Sequence, residues 1–412
     1  MTDDRSALTK KILLGMLSGL LLGSLVHFLS LDDSNPIIQF GINGIIELGG
    51  QIFILTLKLL VVPLVFVSLA CGSSNLSGGT SLGRIGIKTL VLYLFTTAAA
   101  ISLALISANL INPGLGMSLA SDMVFVGKES PPIKQVFLDI FPSNPVKAMA
   151  EGNMLQVIVF AILVGVAISK SGEHGSRLRD GLNDWNEVIM KLVLMLMSVA
   201  PIGVFCLMTA VFSNMGFAGI LDLAKYFFNV VLVLVVHFAL TYFLLLRLLA
   251  GLSPLRFFRD FYPVMVYAFS TSSSSATLPV TLQTLENKMG VKKEVASFTA
   301  PLGATINMDG TAIMQGVATV FIAQAYSVDI GLFGYMTVIL TATMASIGTA
   351  GVPGVGLITL ALVLQQVGLP VEGIALIIGV DRLLDMLRTA INVGGDATVA
   401  AIVAKSEGKL DY

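Results

Sequence analysis

The chain has 412 residues, of which 55% are hydrophobic and 12% charged, and its mean hydropathy is +0.90. Soluble domains carry about 25% charged residues, so half the usual solvating charge is missing, while the apolar complement suffices for about eleven 20-residue spans. The 24 basic residues balance 25 acidic ones for a net charge of −1, which leaves no basic excess for nucleic acid. The two cysteines, Cys71 and Cys206, and the three histidines, His27, His174 and His237, form neither a disulfide framework nor a metal-ligand spacing. The composition is that of a polytopic membrane protein.

In chain order, a charged segment to Lys11 precedes an apolar run from Ile12 to Ser30. That run exceeds the roughly 7–15 residues of a signal-peptide core and ends in Leu31-Asp32-Asp33 rather than a small-residue cleavage site. It reads as a retained first span, and Lys10 and Lys11 favour a cytoplasmic N-terminus. Ile37 to Ala70 is apolar apart from Glu47 and Lys58; at 1.5 Å per residue it would measure about 51 Å. It must tilt, kink at Pro63 or project into water, with Lys58 as a snorkelling anchor. Thr89 to Ser121 is uncharged, whereas Asp122 to Glu187 holds 14 charged residues. The latter reads as an extramembrane connection around one span, Gly152 to Ser169. Leu192 to Leu221 and Tyr226 to Leu246 supply two more, making six spans before residue 250.

Beyond residue 250 the pattern changes. Phe261 to Leu285 is uncharged but interrupted by Ser270-Thr271-Ser272-Ser273-Ser274-Ser275, and Ile330 to Val371 is uncharged but broken by Ser346-Ile347-Gly348-Thr349-Ala350-Gly351-Val352-Pro353-Gly354. Arms of about ten residues flank the first tip, too short to cross a bilayer at about 20 residues per span. Each interrupted run is followed by a helical segment with buried polar residues, Val295 to Gln324 and then Gly373 to Ala404. A helical hairpin plus a helix, twice over, is an internal repeat. Irregular backbone at membrane depth survives only against protein or a wet cavity, and paired broken segments point to a transporter's binding site. One such cluster alone is accounted for by close helix packing; two in corresponding positions are not.

The last segment carries the densest chemistry. At about 100° per residue, Asp381, Asp385, Arg388, Thr389, Asn392 and Asp396 fall in one stripe about 100° wide. Four centred charges would cost on the order of 10–14 kcal/mol facing lipid, so the stripe must face ligands or protein. Carboxylates suit cations or an ammonium group, and Arg388 suits a carboxylate through its planar fork. Both signs side by side match a zwitterion. In the preceding segment, Asn307-Met308-Asp309-Gly310-Thr311 places a carboxylate and an amide beside glycine, where local unwinding would free carbonyls for a hard cation. A polar kink satisfied by neighbouring helices accounts for this pentapeptide equally well. Tyr93, Thr96 and Thr97 share one helix face at i, i+3 and i+4, and inter-helix hydrogen bonds account for them if they are taken alone.

These stretches together resemble the dicarboxylate/amino acid:cation symporters, the glutamate-transporter family. The resemblance rests on the serine tip with Ala276-Thr277-Leu278-Pro279, Asn307 to Thr311, the Ser346-to-Gly354 tip, the Asp385-to-Asp396 stripe and Leu57-Lys58-Leu59-Leu60-Val61-Val62-Pro63. It implies an all-α integral membrane fold of eight transmembrane helices plus two re-entrant hairpins with inverted repeats. It also implies an elevator mechanism in a homotrimer seated in the cell inner (cytoplasmic) membrane. Residues 1–80 and 122–221 would be scaffold; residues 81–121 and 222–412 would form the moving transport domain. The implied substrate set is Ser272, Ser274, Thr311, Val352, Gly356, Asp385, Arg388, Thr389 and Asn392. Within it, Asp385 would take the ammonium, Asn392 and the Ser274 backbone the α-carboxylate, and Arg388 with Thr311 a side-chain carboxylate. Sodium would be co-transported at three places. These are Gly303, Asn307, Asn392 and Asp396; Thr305, Ser346, Ile347 and Thr349; and Tyr93, Thr96, Thr97, Asn307 and Asp309. Many members carry an arginine where this chain has Ser272 or Met386; here Arg382 lies one turn from Asp385.

The expectation is a sodium-coupled amino-acid symporter, for aspartate or glutamate, with no enzymatic activity and no cofactor. A neutral amino acid such as serine, cysteine or alanine is the nearest alternative, and Arg388 argues against it. A C4-dicarboxylate would leave Asp385 as an unpaired carboxylate facing an anion. An ion channel lined by the polar stripe is a further alternative. An intramembrane serine hydrolase lacks a Gly-x-Ser-x-Gly elbow, and no histidine follows His237.

Overall fold

The computed structural model describes residues 2–29, 35–74, 80–116, 141–215, 218–347 and 354–412. Among them the backbone is helical apart from short turns and an isolated antiparallel bridge between Val291 and Leu410. Helix α1 (Thr2–Phe28) is followed by a π-helical stretch, Ile37–Ile46, that runs directly into α2 (Glu47–Ser74). Pro63 sits inside α2, and the helix continues through it. α3 spans Thr80–Ile111 and stops at Asn112, whose φ of 51° closes the helix well before the uncharged run ends at Ser121. A short α4 (Pro145–Glu151) leads to α5 (Met154–Lys170).

The fifth span expected over Leu192–Leu221 is broken. α6 (Gly172–Met197) and α7 (Ala200–Met215) meet at a bend of 49°. Pro201 in the first turn of α7 supplies no N–H to continue α6, so the chain restarts there. α6 also begins twenty residues earlier than the apolar signal, because charged residues 172–187 form its exposed, amphipathic first half. α8 (Ala218–His237) continues through π-helical turns at Phe238–Tyr242 and Leu246–Ala250. Among the described residues three helices are long and apolar enough to cross a membrane by length and composition: Ile38–Cys71, Arg84–Ile111 and Leu223–Ala250, with the bent α6–α7 pair as a fourth.

The two interrupted runs form helical hairpins. α9 (Pro254–Thr271) turns at Ser272 and Ser273 into α10 (Ser274–Asn287). Its arms exceed ten residues because α9 recruits the charged flank before Phe261. α11 (Lys293–Ile306) and α12 (Asp309–Ala325) are one segment interrupted at Asn307 and Met308, where φ and ψ leave the helical region. α13 (Gly331–Ser346) and α14 (Val355–Gln366) are the arms of the second hairpin, and α15 (Ile374–Ser406) follows.

α1 packs on α7, and α2 packs on α5, α6 and α7. A glycine ladder on α1 makes the first contact possible: a Cβ at Gly19 or Gly23 would lie 2.6 Å from the carbonyl oxygens of Phe205 and Thr209. Leu14, Leu17, Leu21 and Leu25 on the same helix are exposed, a surface suited to lipid or another apolar partner. The remaining helices close around α12 and α15: α12 packs on α3, α8 and α14, while α15 packs on α9, α10, α11 and α12. α12 is buried over nearly its whole length, which explains its small and β-branched side chains and the internal bond from Gln315 Nε2 to Thr359 Oγ1 at 2.7 Å. Beyond α15, Glu407 accepts from Arg84 at 2.5 Å and Lys88 at 2.6 Å, tying the end of α15 to the start of α3. These hydrogen bonds, that of Arg84 first, hold the Glu407 carboxyl down at about 2.

Candidate functional site

The centre of the molecule is where the α11–α12 break faces the middle of α15. Asn307 ends α11 with its side chain turned across the gap, and Nδ2 donates to Asp396 Oδ1 and to the Asn392 carbonyl, both at 2.9 Å. Asn392 Oδ1 accepts from Gly310 N, the second residue of α12, at 2.7 Å, and its Nδ2 lies 3.4 Å from Met308 Sδ. Only glycines fit this crossing. A Cβ at Gly310 would stand 2.8 Å from Arg388 Cα, and one at Gly395 would stand 2.6 Å from Asn307 Nδ2. One at Gly303 would come within 2.5 Å of Tyr93 Oη and collide with Asp396. The break, the glycines and the Asn–Asn pair therefore specify one another.

Asp309 opens α12 as a carboxylate at a helix N-terminus, where the macrodipole favours it. It is fully buried and accepts from Thr97 Oγ1 on Oδ1 at 2.6 Å and from Tyr242 Oη on Oδ2 at 2.8 Å. His237 Nε2 lies 3.2 Å from the same Oδ2. His237 and Tyr242 are five residues apart, a spacing that faces opposite ways on an α-helix but one way on a π-helix, and the Phe238–Tyr242 π-turn brings their rings to 4.8 Å. Tyr93 Oη donates to the Thr299 carbonyl at 3.1 Å, and Thr96 Oγ1 to the Tyr93 carbonyl of its own helix, also at 3.1 Å. Of the expected triplet, only Thr97 bonds to the Asp309 carboxylate. Among the described residues neither Asp309 nor Asp396 pairs with a lysine or arginine. The side-chain oxygen of Asn307 has no partner there.

On the other half of the stripe, Arg388 is completely buried. Nη1 donates to Asp381 Oδ1 at 2.5 Å, Nη2 to Asp385 Oδ1 at 2.9 Å, and Nε has no partner among the described residues. Gly356 of α14 and Thr311 of α12 are its neighbours: a Cβ at Gly356 would lie 3.2 Å from Arg388 Nη2 and 3.3 Å from Thr311 Cγ2. Thr389 Oγ1 bonds back to the Asp385 carbonyl at 2.8 Å. At the first tip, Ser272 holds a left-handed φ of 48°, unusual for a side chain with a Cβ, and its buried Oγ is without a partner among the described residues. Ser273 caps α10 by accepting from Ala276 N at 3.2 Å on its side chain and from Thr277 N on its carbonyl, at a helix N-terminus, beginning at Ser274, whose dipole favours an anion.

The second expected ion set is less assembled. Thr305 is exposed, and its Oγ1 bonds to Leu302 O at 2.9 Å, while Ser346 Oγ bonds to Thr343 O at 2.8 Å and Ile347 is buried beside it. Thr349 and Val352 lie outside the described residues. The residues not anticipated from the sequence are His237 and Tyr242, whose five-residue spacing is the signal that was available; Asp381, already on the stripe, is Arg388's partner.

Paired broken helices around buried carboxylates, an amide and a guanidinium define a secondary transporter. The chain belongs to the sodium:dicarboxylate symporter family, which it matches over residues 8–406. It is 36% identical to the proton/glutamate-aspartate symporter of Escherichia coli strain K12, over the whole chain and 95% of that protein. It is 37% identical to the human neutral amino acid transporter B(0), over 86% of the chain and 72% of that protein. It is 34% identical to the C4-dicarboxylate transport protein of Rhodospirillum rubrum, over 88% of the chain and 83% of that protein.

Proposed function

We propose that this protein is a sodium-coupled symporter of acidic amino acids, aspartate or glutamate, in the cytoplasmic membrane. The observation that carries the reading is the pair Asp309 and Asp396, two buried carboxylates that accept from hydroxyls and an amide, with the His237 ring beside Asp309, and that have no lysine or arginine partner among the described residues. Burying unpaired anions is costly, and a hard cation with oxygen ligands offsets that cost. Sodium is the cargo that suits the Asn307 amide oxygen, the Asp309 and Asp396 carboxylates, the Thr97 hydroxyl and backbone carbonyls at the break, such as those of Gly303 and Asn392. Tyr93 and Thr96 belong to the same neighbourhood. Thr305, Ser346, Ile347 and Thr349 are assigned to a further ion that closes the second hairpin.

The substrate then bridges the two halves of the stripe. Its ammonium meets Asp385, its α-carboxylate meets Asn392 and the N-terminus of α10 at Ser274, and its side-chain carboxylate meets Arg388 beside Thr311. Thr389 donates to the Asp385 carbonyl of its own helix beside the ammonium site, and Ser272 shapes the tip. Gly356 leaves room beside Arg388 and Thr311 for the second hairpin to cover the ligand, and Val352 is assigned to the same cover. Asn392 belongs to both sites and Asn307 of the ion site donates to its carbonyl, so a cation that orients this pair also orients the substrate, and the two cargoes stabilise each other's binding.

We further assign eight spans and two re-entrant hairpins, with residues 1–80 and 122–221 as the scaffold of a homotrimer. Residues 81–121 and 222–412 form the body that moves as an elevator. The packing supports this division: α1, α2, α5, α6 and α7 pack on one another, and α3 with α8–α15 close around α12 and α15. The experiment is competition for labelled aspartate uptake into liposomes by unlabelled glutamate, serine and succinate under an inward sodium gradient. Glutamate and aspartate should compete best. Strong competition by serine and none by glutamate would replace the acidic substrate with a neutral one.

A further inference from the structure

Arg382 lies three residues before Asp385 on α15, and its Nη1 donates to Asp385 Oδ2 at 3.3 Å, both side chains being only 11% exposed. Arg388 Nη2 donates to the opposite oxygen, Oδ1, at 2.9 Å. The carboxylate is therefore gripped from both sides by cations of its own helix. The two grips are not equivalent. Arg388 also holds Asp381 at 2.5 Å and remains paired when a substrate carboxylate draws Nη2 away. That movement frees Oδ1 for an amine. Arg382 sits on the other oxygen at i,i+3 spacing and has no reason to leave when Arg388 turns.

We propose that Arg382 is a specificity-determining residue that sets how far binding depends on the substrate's amine. It is a tethered cation that shares Asp385 with the ligand. With a guanidinium already on one of its oxygens, Asp385 holds an ammonium less tightly than a lone carboxylate would. By the same neutralisation, it does not strongly repel a dicarboxylate that brings no amine. Removal of Arg382 leaves Asp385 a full anion at the moment Arg388 turns to the substrate, so an amine becomes close to obligatory. A guanidinium at fixed i,i+3 reach does this without contacting the ligand. The inference rests on the assignment of the amine to Asp385.

The test is displacement of labelled aspartate from the purified full-length protein at saturating sodium, by unlabelled aspartate and by succinate. Wild-type, Arg382→Gln, Arg382→Lys and Asp385→Asn proteins are compared. The readout is the ratio of succinate to aspartate concentrations needed for half-displacement. Arg382→Gln should raise that ratio about tenfold or more, while Arg382→Lys, which keeps the charge, should stay within about threefold of wild type. A purely structural role would weaken both ligands alike and leave the ratio unmoved, which overturns the proposal. So would equal shifts in the Gln and Lys variants, or a wild-type protein that succinate cannot displace at about a thousandfold excess. Asp385→Asn should weaken aspartate and not succinate. If it leaves aspartate unaffected, the amine assignment has failed and the proposal falls with it. An unmoved ratio in Arg382→Gln with Asp385→Asn behaving as expected overturns the proposal alone.

Discussion

Replacing Arg388 with cysteine tests how the site chooses between acidic and neutral amino acids. Arg388 is not idle before substrate binds, since Asp381 and Asp385 hold it at 2.5 and 2.9 Å. An acidic side chain therefore exchanges with Asp385 for Nη2 rather than pairing with a free guanidinium, and Asp385 in turn exchanges Arg388 for the ammonium. The net gain is that of one hydrogen bond to a charged group, about 1.5–3 kcal/mol, not the roughly 3–5 kcal/mol lost when a buried pair is broken outright. Arg388→Cys should thus cost aspartate roughly 10- to 150-fold in affinity relative to serine. The same substitution orphans Asp381, which is 4% exposed, so overall stability falls whatever the substrate. The double variant Asp381→Asn/Arg388→Cys removes that orphan and separates the two effects. The assay is sodium-dependent binding of both ligands to each variant, beside its melting temperature. Equal losses for aspartate and serine in the double variant, at normal expression, would refute the exchange at Arg388.

Three further outcomes follow from the geometry. Tyr242→Phe removes the 2.8 Å bond to Asp309 and should weaken sodium affinity about tenfold, with aspartate uptake restored at high sodium; an unchanged sodium dependence would remove Tyr242 from the ion site. Gly310→Ala places a methyl 2.8 Å from Arg388 Cα and should lower stability by about 1–3 kcal/mol and weaken aspartate binding; a melting temperature and affinity equal to wild type would show that α12 and α15 can separate freely. Because Glu407 is held down at about 2, its stabilisation is present above its ordinary value near 4.5 and is lost as pH falls from there through 2. Wild type should therefore melt higher than Glu407→Gln at pH 7, and the gap should shrink over that window; a gap that persists below pH 2 would contradict the ion-pair explanation.

The parts of the fold set by composition were legible in the sequence. Uncharged runs marked the hairpins, Ser272–Ser273 fall within the serine tip that interrupts the first of them, and the break at Asn307–Met308 falls in the pentapeptide whose glycine suggests local unwinding within a segment otherwise read as one helix. The stripe from Asp381 to Asp396 was readable because a single helix at 3.6 residues per turn carries it. Helix ends were not, since charged residues extend α6 and α9 beyond the apolar signal. The α6–α7 bend depended on one proline within a run that otherwise looks continuous. His237 and Tyr242 were hidden because their five-residue spacing makes a common face only once a π-turn forms. Arg388 and Asp381 share the stripe at i,i+7, so their pairing is one of its open readings, and packing decides which carboxylates the guanidinium takes.

The most direct test of sodium-coupled symport is accumulation of labelled aspartate in liposomes that begin with equal aspartate inside and out. An inward sodium gradient alone, with pH clamped equal on both sides, should drive aspartate above its external concentration. Collapsing that gradient should release it, and Asp309→Asn should abolish the concentrative step. Accumulation that follows a pH gradient and ignores sodium would contradict the assignment of sodium to Asp309 and Asp396.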